Sequence, residues 1–310
     1  MPMGEKLREG LADVASGTIR WNCPLAPYTS FGIGGPADAL IEVEDAGELG
    51  RLLDYCADND LPWRLIGKGS NLLVADKGFA GVVLLLGKGF SEISVLPEPS
   101  SDGIGLRVGA GCSFAKLLNW CTERNYSGFE FATGIPGTLG GAVVMNAGAW
   151  GEEIADRIAA IEVFSLHAGV ETLGRDQLDF SYRLWRNQGS GEKKRIVLSV
   201  DLRVVQGEKE TIQNRCREIL QRRKETQPKG QKNGGSFFKN PPGDSAGRLI
   251  EASGLKGRSC GGAMVSPVHA NFLVNTGLAT AEDVCQLMNM VIEQVKKDSG
   301  IQLFPEVHFL

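Results

Sequence analysis

The sequence predicts an α+β fold, on two observations. Apolar runs of strand length alternate with amphipathic helical segments, and two glycine-rich loops follow strands without forming one long parallel βαβ array. The chain has 310 residues, 42% of them apolar and 23% charged. It is therefore long enough for two or three domains with their own cores, and its composition is that of a folded globular protein.

The first glycine-rich loop follows a helix-strand unit. Apolar residues recur at helical spacing from 49 to 56, and residues 63–66 form a short strand. The loop at 67–73 combines two glycines with hydroxyl and amide donors. The third glycine of a Rossmann fingerprint would fall at Leu72, and Gly87-Lys88-Gly89 lacks the other residues of a P-loop, so neither fold is favoured.

A second unit leads to a longer glycine-rich segment. Residues 82–86 and 106–108 have the composition of strands, and Ser113 is placed to cap a helix. Residues 132–151 then contain six glycines and no charged side chain. Because glycine permits close approach of the main chain and successive N–H groups can form an anion-binding concavity, we interpret the two loops as a cradle for the diphosphate of a dinucleotide. A run of tight turns between buried strands is the alternative.

The last third of the chain has the pattern of a separate domain. After strands at 158–166 and 195–205, a boundary is predicted near Gly207. An amphipathic helix follows that ends at the basic residues 222–224, and residues 229–233 form a loop. The inward face of the helix comprises Ile212, Cys216, Ile219 and Leu220.

The C-terminal helix is marked at both ends. Thr280 and Asp283 form a capping box, apolar residues from 284 to 295 line one face, and Gly300 ends the helix. Alternation after Gly300 predicts a terminal strand. That strand places Ile301, Leu303, Val307 and Phe309 on one side and Gln302, Glu306 and His308 on the other.

Charge and cysteine usage exclude several classes of partner. The net charge is −4 with no basic block, so nucleic acid is not expected as a partner. Seven scattered cysteines without a C-x-x-C pair indicate free thiols in a reducing compartment, and the separated His167, His269 and His308 form no metal motif. Residues before Trp21 lack a signal-peptide core and the aliphatic runs are too short to span a bilayer. We therefore expect a cytoplasmic protein without metal or membrane association.

Three side chains are candidates for chemistry. Ser236 lies between glycines and aromatic rings and can donate a proton, although a turn serine bonded to its own backbone is the alternative. Arg183 has aromatic neighbours that favour partial burial and an anionic partner, with a surface salt bridge as the alternative. Glu306 follows Pro305 in the terminal strand, where a solvated glutamate is the alternative. A hydrolase nucleophile is not indicated, because no G-x-S-x-G elbow surrounds Ser236.

Together these segments resemble the MurB family, the UDP-N-acetylenolpyruvoylglucosamine reductases of peptidoglycan synthesis. The resemblance runs nearly end to end, and its specificity comes from the order and spacing of the segments. The matching segments are 29–37, 67–73, 133–151, 182–183, 235–241, 246–251 with 254–257, 269–272 and 305–307.

The resemblance implies non-covalent FAD, NADPH as the hydride donor, and a UDP-sugar substrate that carries an enolpyruvyl ether. It implies an FAD-binding domain of the PCMH type (vanillyl-alcohol-oxidase-like), with two α+β lobes, at residues 1–206. A C-terminal α/β substrate-binding domain at 207–310 would follow, with its last strand returning toward the flavin. The implied FAD contacts are Gly67, Lys68, Gly69, Ser70, Asn71, Leu72, Thr133, Gly134, Ile135, Pro136, Gly137, Thr138, Gly140, Gly141, Ala142, Asn146 and Gly148.

The resemblance also assigns catalytic roles. In the family, hydride reaches the terminal vinyl carbon and the carbon α to the carboxylate is then protonated, which gives UDP-N-acetylmuramate. Arg183 matches the arginine that stabilises the developing negative charge, Glu306 matches its glutamate partner, and Ser236 matches the serine that supplies the proton. By analogy, the substrate contacts are Tyr182, Arg222, Lys239 and Asn240.

Three departures from the family pattern bear on the site. Trp185 stands where the family usually has serine, so an indole is expected to replace a hydroxyl near the substrate. His308 stands in place of an arginine and is expected to make substrate binding pH-sensitive. The short stretch 187–191 leaves no inserted tyrosine loop, which is typical of the loop-lacking branch of the family.

Two other functions remain open at this point. One is a flavin oxidase of the same fold that acts on an alcohol or a sugar lactone. The other is an FAD-bearing electron-transfer subunit of a larger complex. The reductase itself is expected to be a monomer.

Overall fold

A computed structural model describes residues 3–97, 103–166, 168–190 and 193–310. His167 and the end of the 187–191 stretch lie outside the described residues. The helices are α1 (Glu5–Val14), α2 (Ala46–Asp58), α3 (Phe114–Glu123), α4 (Leu139–Val144), α5 (Lys209–Thr226), α6 (Ala246–Ala252) and α7 (Ala281–Ser299). Within the described ranges, no helix is both long and apolar enough to cross a bilayer.

The strands are short except in the central sheet. They are β1 (Ile19–Pro24), β2 (Pro36–Val43), β3 (Trp63–Ile66), β4 (Leu72–Leu73), β5 (Phe79–Leu86), β6 (Ile93–Val95), β7 (Ile104–Gly109), β8 (Tyr126–Ser127), β9 (Gly148–Ala149), β10 (Glu152–Glu153), β11 (Ile158–Ser165), β12 (Gly169–Gly174), β13 (Phe180–Ser181), β14 (Leu184–Trp185), β15 (Ile196–Gln206), β16 (Lys232–Asn233), β17 (Ser259–Cys260), β18 (Ala263–Val265), β19 (Leu273–Asn275) and β20 (His308–Phe309). The chain divides into two compact units, and each includes segments that are distant in sequence.

Unit 1 comprises Met1–Trp21, Ala39–Gly67 and Gly81–Gln221. Its main sheet has the order β12-β11-β15-β7-β6, with β8 pairing the end of β15, and every pairing is antiparallel. The four-stranded sheet β1-β2-β5-β3 lies mostly in this unit, and β3 and β5 are parallel. The predicted α+β pattern is therefore confirmed, because antiparallel pairing dominates.

Side chains that cap helix N-termini mark the beginnings of α2 and α3 in unit 1. Asp45 caps α2 by accepting a hydrogen bond from the Glu48 N–H at 2.8 Å, and the apolar face of α2 is buried. Ser113 caps α3 by accepting from the Lys116 N–H at 3.2 Å, as its position before an apolar run predicts. These helices cover the sheets because their buried stripes recur every three or four residues.

Unit 2 comprises Asn22–Asp38, Lys68–Ala80 and Arg222–Leu310. Its sheet has the order β16-β19-β18-β17, and α7 packs its buried valines and Leu287 into the same core as Phe237 and Phe238. The capping box of Thr280 and Asp283 is present, and Gly300 ends α7 in the left-handed conformation that only glycine adopts without strain. The predicted C-terminal helix is thus confirmed at both ends.

Three details of the sequence prediction are wrong. Helix α5 continues to Thr226, two residues past its predicted end. Its buried stripe contains only Ile212 and Ile219, and Leu220, which was predicted to face inward, is 41% exposed. Residues 232–233 form strand β16 instead of loop, since β19 offers them a partner. The terminal strand is only β20. Leu303 and Val307 are buried as the alternation predicts, but Phe309 is 49% exposed, because residues 301–307 do not form one continuous strand with it.

Candidate active site

Ser236 lies in a short segment of unit 2 in which the next two residues are buried phenylalanines. Gly235 precedes it with φ of +79°, and a Cβ at that position would meet nothing within 4 Å, so the glycine is required by conformation and leaves open space beside the serine. Ser236 is half-buried, whereas Phe237 and Phe238 are buried. A partly accessible serine is therefore followed by two buried aromatic rings.

The Glu306 segment lies alongside the Ser236 segment. The Glu306 N–H donates to the Phe237 carbonyl at 2.7 Å, and the Lys239 N–H donates to the Phe304 carbonyl at 2.9 Å. Phe238 and Pro305 form a bridge between them. Glu306 is half-buried, and its backbone is bonded to Phe237, the residue that follows Ser236. Two candidate residues separated by 70 positions in sequence are thus neighbours in unit 2.

The first glycine-rich loop reaches the same segment through Asn71. The Asn71 Nδ2 donates to the Glu306 carbonyl at 3.0 Å, and the Asn71 carbonyl accepts from the His308 N–H at 3.0 Å. Strand β4, which follows the loop, then pairs in parallel with β20. The loop also requires Gly69, because its φ is +56° and a Cβ there would lie 2.0 Å from the Tyr28 carbonyl oxygen.

A pocket of about 350 Å³ opens at Ser236 in unit 2. Besides Ser236 and Asn240, its walls include Arg248, Glu251, His269 and Asn271. Sequence reasoning gave these last four residues no role, although all of them lie in segments 246–251 and 269–272, which carry the family resemblance. The signal was present, but a single side chain in such a segment does not reveal which cavity it faces.

His269 has a defined protonation pattern in this pocket. Its Nδ1 accepts from the Asn271 N–H at 3.2 Å, so a neutral ring carries its proton on Nε2. Burial, and then the positive charge of Lys256, lower the pKa of His269, with Glu251 acting in the opposite direction. The neutral imidazole is therefore the form that the fold favours.

Arg248 and Asp244 form an ion pair at the rim of this pocket. The Arg248 Nε donates to Asp244 Oδ1 at 2.7 Å, and a second bond joins Nη2 to Oδ2. Arg248 holds the pKa of Asp244 at about 2, well below its usual range. The pair lies at the surface, so it orients the Arg248 guanidinium more than it stabilises the fold.

Arg183 lies in unit 1 at the tip of a two-residue hairpin. Strands β13 and β14 pair Ser181 with Leu184, which leaves Tyr182 and Arg183 as the turn. The φ of Arg183 is +56°, a conformation that glycine usually occupies. The guanidinium is half-buried, donates from Nη2 to the Gly148 carbonyl at 3.0 Å and lies 5.0 Å from the centre of the Tyr182 ring. A charged residue in a strained turn is a pattern found at functional sites.

Asn146 supports this hairpin from the second glycine-rich segment. It is 1% exposed, and its Nδ2 donates to the Ser181 carbonyl at 3.1 Å and to Glu153 Oε2 at 2.6 Å. Its Oδ1 accepts from the Ala155 N–H at 3.3 Å. The side chain that was predicted as a cofactor contact is therefore engaged within unit 1, where it connects the glycine-rich segment to Arg183.

Trp185 turns into the core of unit 1. The indole is 1% exposed, stacks on Phe180 with ring centres 6.1 Å apart and donates from Nε1 to Asn187 Oδ1 at 2.6 Å. It is part of the cluster of buried side chains beneath the main sheet. The indole that stands in place of the family's serine is therefore buried in unit 1, because the β-strand alternation of β14 points it inward.

Within unit 1, Gly67 and the second glycine-rich segment fit a phosphate-bearing group such as FAD. A Cβ on Gly67 would lie 2.5 Å from Thr138 Oγ1, so the first loop begins directly against the cap of α4. Gly134 and Gly137 have positive φ and place main chain without side chains at the surface. The Thr133 hydroxyl is buried and, within the described part of the chain, has no hydrogen-bond partner of ordinary geometry. A candidate partner is the Cys216 thiol, and sulfur is a weak acceptor. A polar ligand group would satisfy that hydroxyl.

Several N–H groups of the second loop already form hydrogen bonds within unit 1. The N–H groups of Leu139 and Gly140 donate to the carbonyls of Cys112 and Ala110 at 2.8 Å, and the Gly141 N–H donates to Thr138 Oγ1 at 3.3 Å. The start of α4 is thus tied to residues 110–112. Any cofactor contact at Gly140 and Gly141 therefore depends on close approach to glycine main chain and less on free N–H donors.

The proposed substrate contacts are distributed over both units. Tyr182 is 45% exposed in unit 1. In unit 2, Arg222 lies on the exposed side of α5, Lys239 is half-buried, and Asn240 Oδ1 accepts from the Ala246 N–H at 3.0 Å. His308 is exposed in β20.

Comparison with known proteins gives a consistent result. Residues 227–310 match the model of the UDP-N-acetylenolpyruvoylglucosamine reductase C-terminal domain, and residues 37–172 match an FAD binding domain. The UDP-N-acetylenolpyruvoylglucosamine reductase 2 of Symbiobacterium thermophilum is 45% identical over 99% of this chain and 96% of its own length. The corresponding reductase of Caldanaerobacter subterraneus subsp. tengcongensis is 41% identical over 98% and 96%.

A solved structure supports the same assignment. The crystal structure of UDP-N-acetylenolpyruvylglucosamine reductase (MurB) from Thermus caldophilus matches with a TM-score of 0.76 and 38% identity, covering 94% of this chain and 98% of its own. Sequence and fold therefore agree over nearly the whole length. The chain belongs to the UDP-N-acetylenolpyruvoylglucosamine reductase family.

Proposed function

We propose that this protein reduces UDP-N-acetylglucosamine enolpyruvate to UDP-N-acetylmuramate, with FAD as cofactor and NADPH as hydride donor. The observation that carries the proposal is the pairing of the Ser236 and Glu306 segments in unit 2, within a chain that belongs to the reductase family. The product is a precursor of peptidoglycan, so the reaction belongs to cell-wall synthesis, which serves cell shape and division.

FAD supplies the transfer of two electrons from NADPH to the carbon–carbon double bond of the enolpyruvyl group. The residues proposed to hold it are those of the two glycine-rich loops, 67–72 and 133–148. Gly134 and Gly137 permit close approach of a phosphate to the main chain, and the cofactor could form a hydrogen bond with the Thr133 hydroxyl. Lys68 is exposed and can offer a positive charge to a phosphate.

Arg183 is proposed to stabilise negative charge that develops on the substrate carboxylate. Its guanidinium is held by the Gly148 carbonyl and by the strained turn, so it is oriented before substrate arrives. Charge stabilisation by an oriented cation is most effective when no reorganisation is needed during the reaction. The position of Gly148 in the second glycine-rich loop couples the orientation of Arg183 to the proposed cofactor loop.

Ser236 is proposed to donate the proton to the carbon α to the carboxylate, and Glu306 to complete the hydrogen-bond network. The half-buried hydroxyl lines a pocket, and Phe237 and Phe238 limit the access of water from the core side. General acids of this kind contribute about 10²- to 10⁴-fold in rate. Tyr182, Arg222, Lys239 and Asn240 are proposed to contact the substrate.

The finer organisation is also part of the proposal. Residues 1–206 would form the FAD-binding domain and 207–310 the substrate-binding domain, with the last strand returning toward the flavin. The enzyme would act in the cytoplasm as a monomer on a free UDP-sugar, without nucleic acid or membrane. A net charge of −4 without a basic block supports the absence of a polyanionic partner.

Anaerobic flavin absorbance tests this function directly. NADPH is expected to bleach the FAD-loaded protein, and UDP-N-acetylglucosamine enolpyruvate is expected to restore the oxidised band. Bleaching without recovery would instead indicate the oxidase or the electron-transfer subunit. Reduction of the flavin by an alcohol or a sugar lactone, followed by reoxidation by oxygen, would favour the oxidase. A protein that cannot be loaded with FAD would contradict the proposal entirely.

A further inference from the structure

The backbone beside Ser236 is held by one buried side chain. Asn271 is 3% exposed, its Oδ1 accepts from the Phe238 N–H at 2.9 Å, and its Nδ2 donates to the Phe238 carbonyl at 2.8 Å. The Asn271 carbonyl also accepts from the Phe237 N–H at 2.7 Å. The Asn271 amide thus supplies the donor and acceptor that a neighbouring strand would otherwise supply.

The opposite side of this backbone belongs to the Glu306 segment. The Phe237 carbonyl accepts from the Glu306 N–H at 2.7 Å, and Phe238 bridges to Pro305. The Lys239 N–H also donates to the Phe304 carbonyl at 2.9 Å, so both hydrogen bonds of this antiparallel bridge are present, and the N–H and carbonyl of Phe238 face away from it. Asn271 therefore pairs with the Phe238 backbone groups that the Glu306 segment does not reach.

Asn271 is itself well fixed. The His269 Nδ1 accepts the Asn271 N–H at 3.2 Å, and the His269 carbonyl accepts the Phe272 N–H at 3.0 Å. Ser266, which is fully buried, accepts the Val268 and His269 N–H groups at 3.2 and 3.3 Å. A loop restrained in this way can act as a rigid support, because displacing it would leave several buried polar groups unpaired.

We infer that Asn271 is a positioning residue for the proposed proton donor: by clamping the Phe238 backbone, it fixes the segment that holds the Ser236 hydroxyl at its pocket. Asn271 and Ser236 also line the same pocket, and Asn271 bonds to Phe238, two residues after Ser236. The inference rests on the proposed role of Ser236. It adds a residue that acts through that serine and forms no bond to the reacting atoms.

The test separates the two half-reactions in the FAD-loaded protein. Asn271→Ala is expected to leave flavin reduction by NADPH within about twofold of wild type and to slow reoxidation by substrate by about tenfold or more, up to the loss seen in Ser236→Ala. The double variant is expected to be no slower than Ser236→Ala, because a residue that acts only through the serine adds nothing once the serine is gone. Hydrogen exchange at the Phe237 and Phe238 amides should also accelerate in Asn271→Ala.

Asn275→Ala is the matched control. Asn275 is also buried in unit 2 and makes three side-chain hydrogen bonds, to the Phe31 carbonyl at 2.9 Å and to the N–H groups of Gly277 and Ala279 at 2.8 and 3.1 Å. Its loss is expected to lower stability without changing the ratio of the two half-reactions. If Asn271→Ala does not fold, Asn271→Asp keeps the volume and the acceptor for the Phe238 N–H, and a smaller loss in the same half-reaction is expected.

The outcomes distinguish the inference from the function on which it rests. Normal reoxidation in both Asn271 variants, alongside slow reoxidation in Ser236→Ala, overturns the inference alone. Equal slowing of both half-reactions, additive losses in the double variant, or the same split in Asn275→Ala also overturns it. Normal reoxidation in Ser236→Ala removes the proposed proton donor, and the inference falls with it.

Discussion

The strained turn at Arg183 allows stability and activity to be separated by two substitutions. Arg183→Gly and Arg183→Ala remove the same guanidinium, with its bond to the Gly148 carbonyl, but only glycine accepts a φ of +56° without a steric penalty. The left-handed conformation costs a residue with a Cβ about 1–2 kcal/mol. Glycine loses about 0.4–1 kcal/mol more chain entropy on folding than alanine.

The difference favours the glycine variant by about 1 kcal/mol. For a chain of this size, that free energy corresponds to about 2 °C in the melting temperature. Both variants should reoxidise slowly with substrate, because neither has a cation to stabilise the developing carboxylate charge. We therefore expect a more stable variant and a less stable variant that are equally inactive.

Differential scanning fluorimetry of the two variants, with and without FAD, measures the stability difference. Stopped-flow absorbance measures the two half-reactions. A melting temperature for Arg183→Ala equal to or above that of Arg183→Gly would show that the turn is not strained as described. Normal reoxidation in either variant would remove Arg183 from the proposed mechanism.

Three further predictions concern packing, pH and cofactor binding. Trp185→Ala should lower the free energy of unfolding by about 3–5 kcal/mol in urea denaturation, whereas Trp185→Phe should cost much less; equal losses would contradict the buried position of the indole. Because the fold lowers the pKa of His269, the unfolded chain binds the proton more readily, so stability should fall as pH drops below about 6.5 and this fall should shrink in His269→Gln; identical pH profiles would refute it. In Gly141→Ala, the added Cβ would meet only Thr138 Oγ1 at 3.4 Å, so the melting temperature of the apo-protein should equal or exceed that of wild type. The affinity for FAD, measured by equilibrium titration, should fall because the methyl group blocks close approach of the cofactor. Unchanged affinity would place the cofactor elsewhere.

The sequence predicted elements well where local chemistry decides them. Capping residues such as Ser113 and Thr280 begin helices wherever the following residues are apolar at helical spacing, so α3 and α7 were found with their ends. The terminal segment failed for the opposite reason. Whether Phe309 is buried depends on which strand covers it, and its partner β4 lies more than 200 residues away in the chain.

The candidate site comes from the motif resemblance. The resemblance proposes Arg183, Ser236 and Glu306, because each lies in a segment with characteristic neighbours. It did not find the clamp formed by Asn271, since the amide pairs with a backbone group 33 positions away and no local pattern reports that contact. The comparison with the family pattern at Trp185 does not report the direction of the side chain either, because that direction depends on the pairing of β13 with β14.

The parallel pairing of β4 with β20 has a consequence for how the chain reaches its native state. Asn71 bonds to Glu306 across 235 positions, so unit 2 cannot close until almost the entire described sequence has left the ribosome. Contacts of such high contact order form slowly, and an unpaired β4 edge would meanwhile be open to other chains. Synthesis therefore passes through an interval in which β4 has been made but lacks its partner β20.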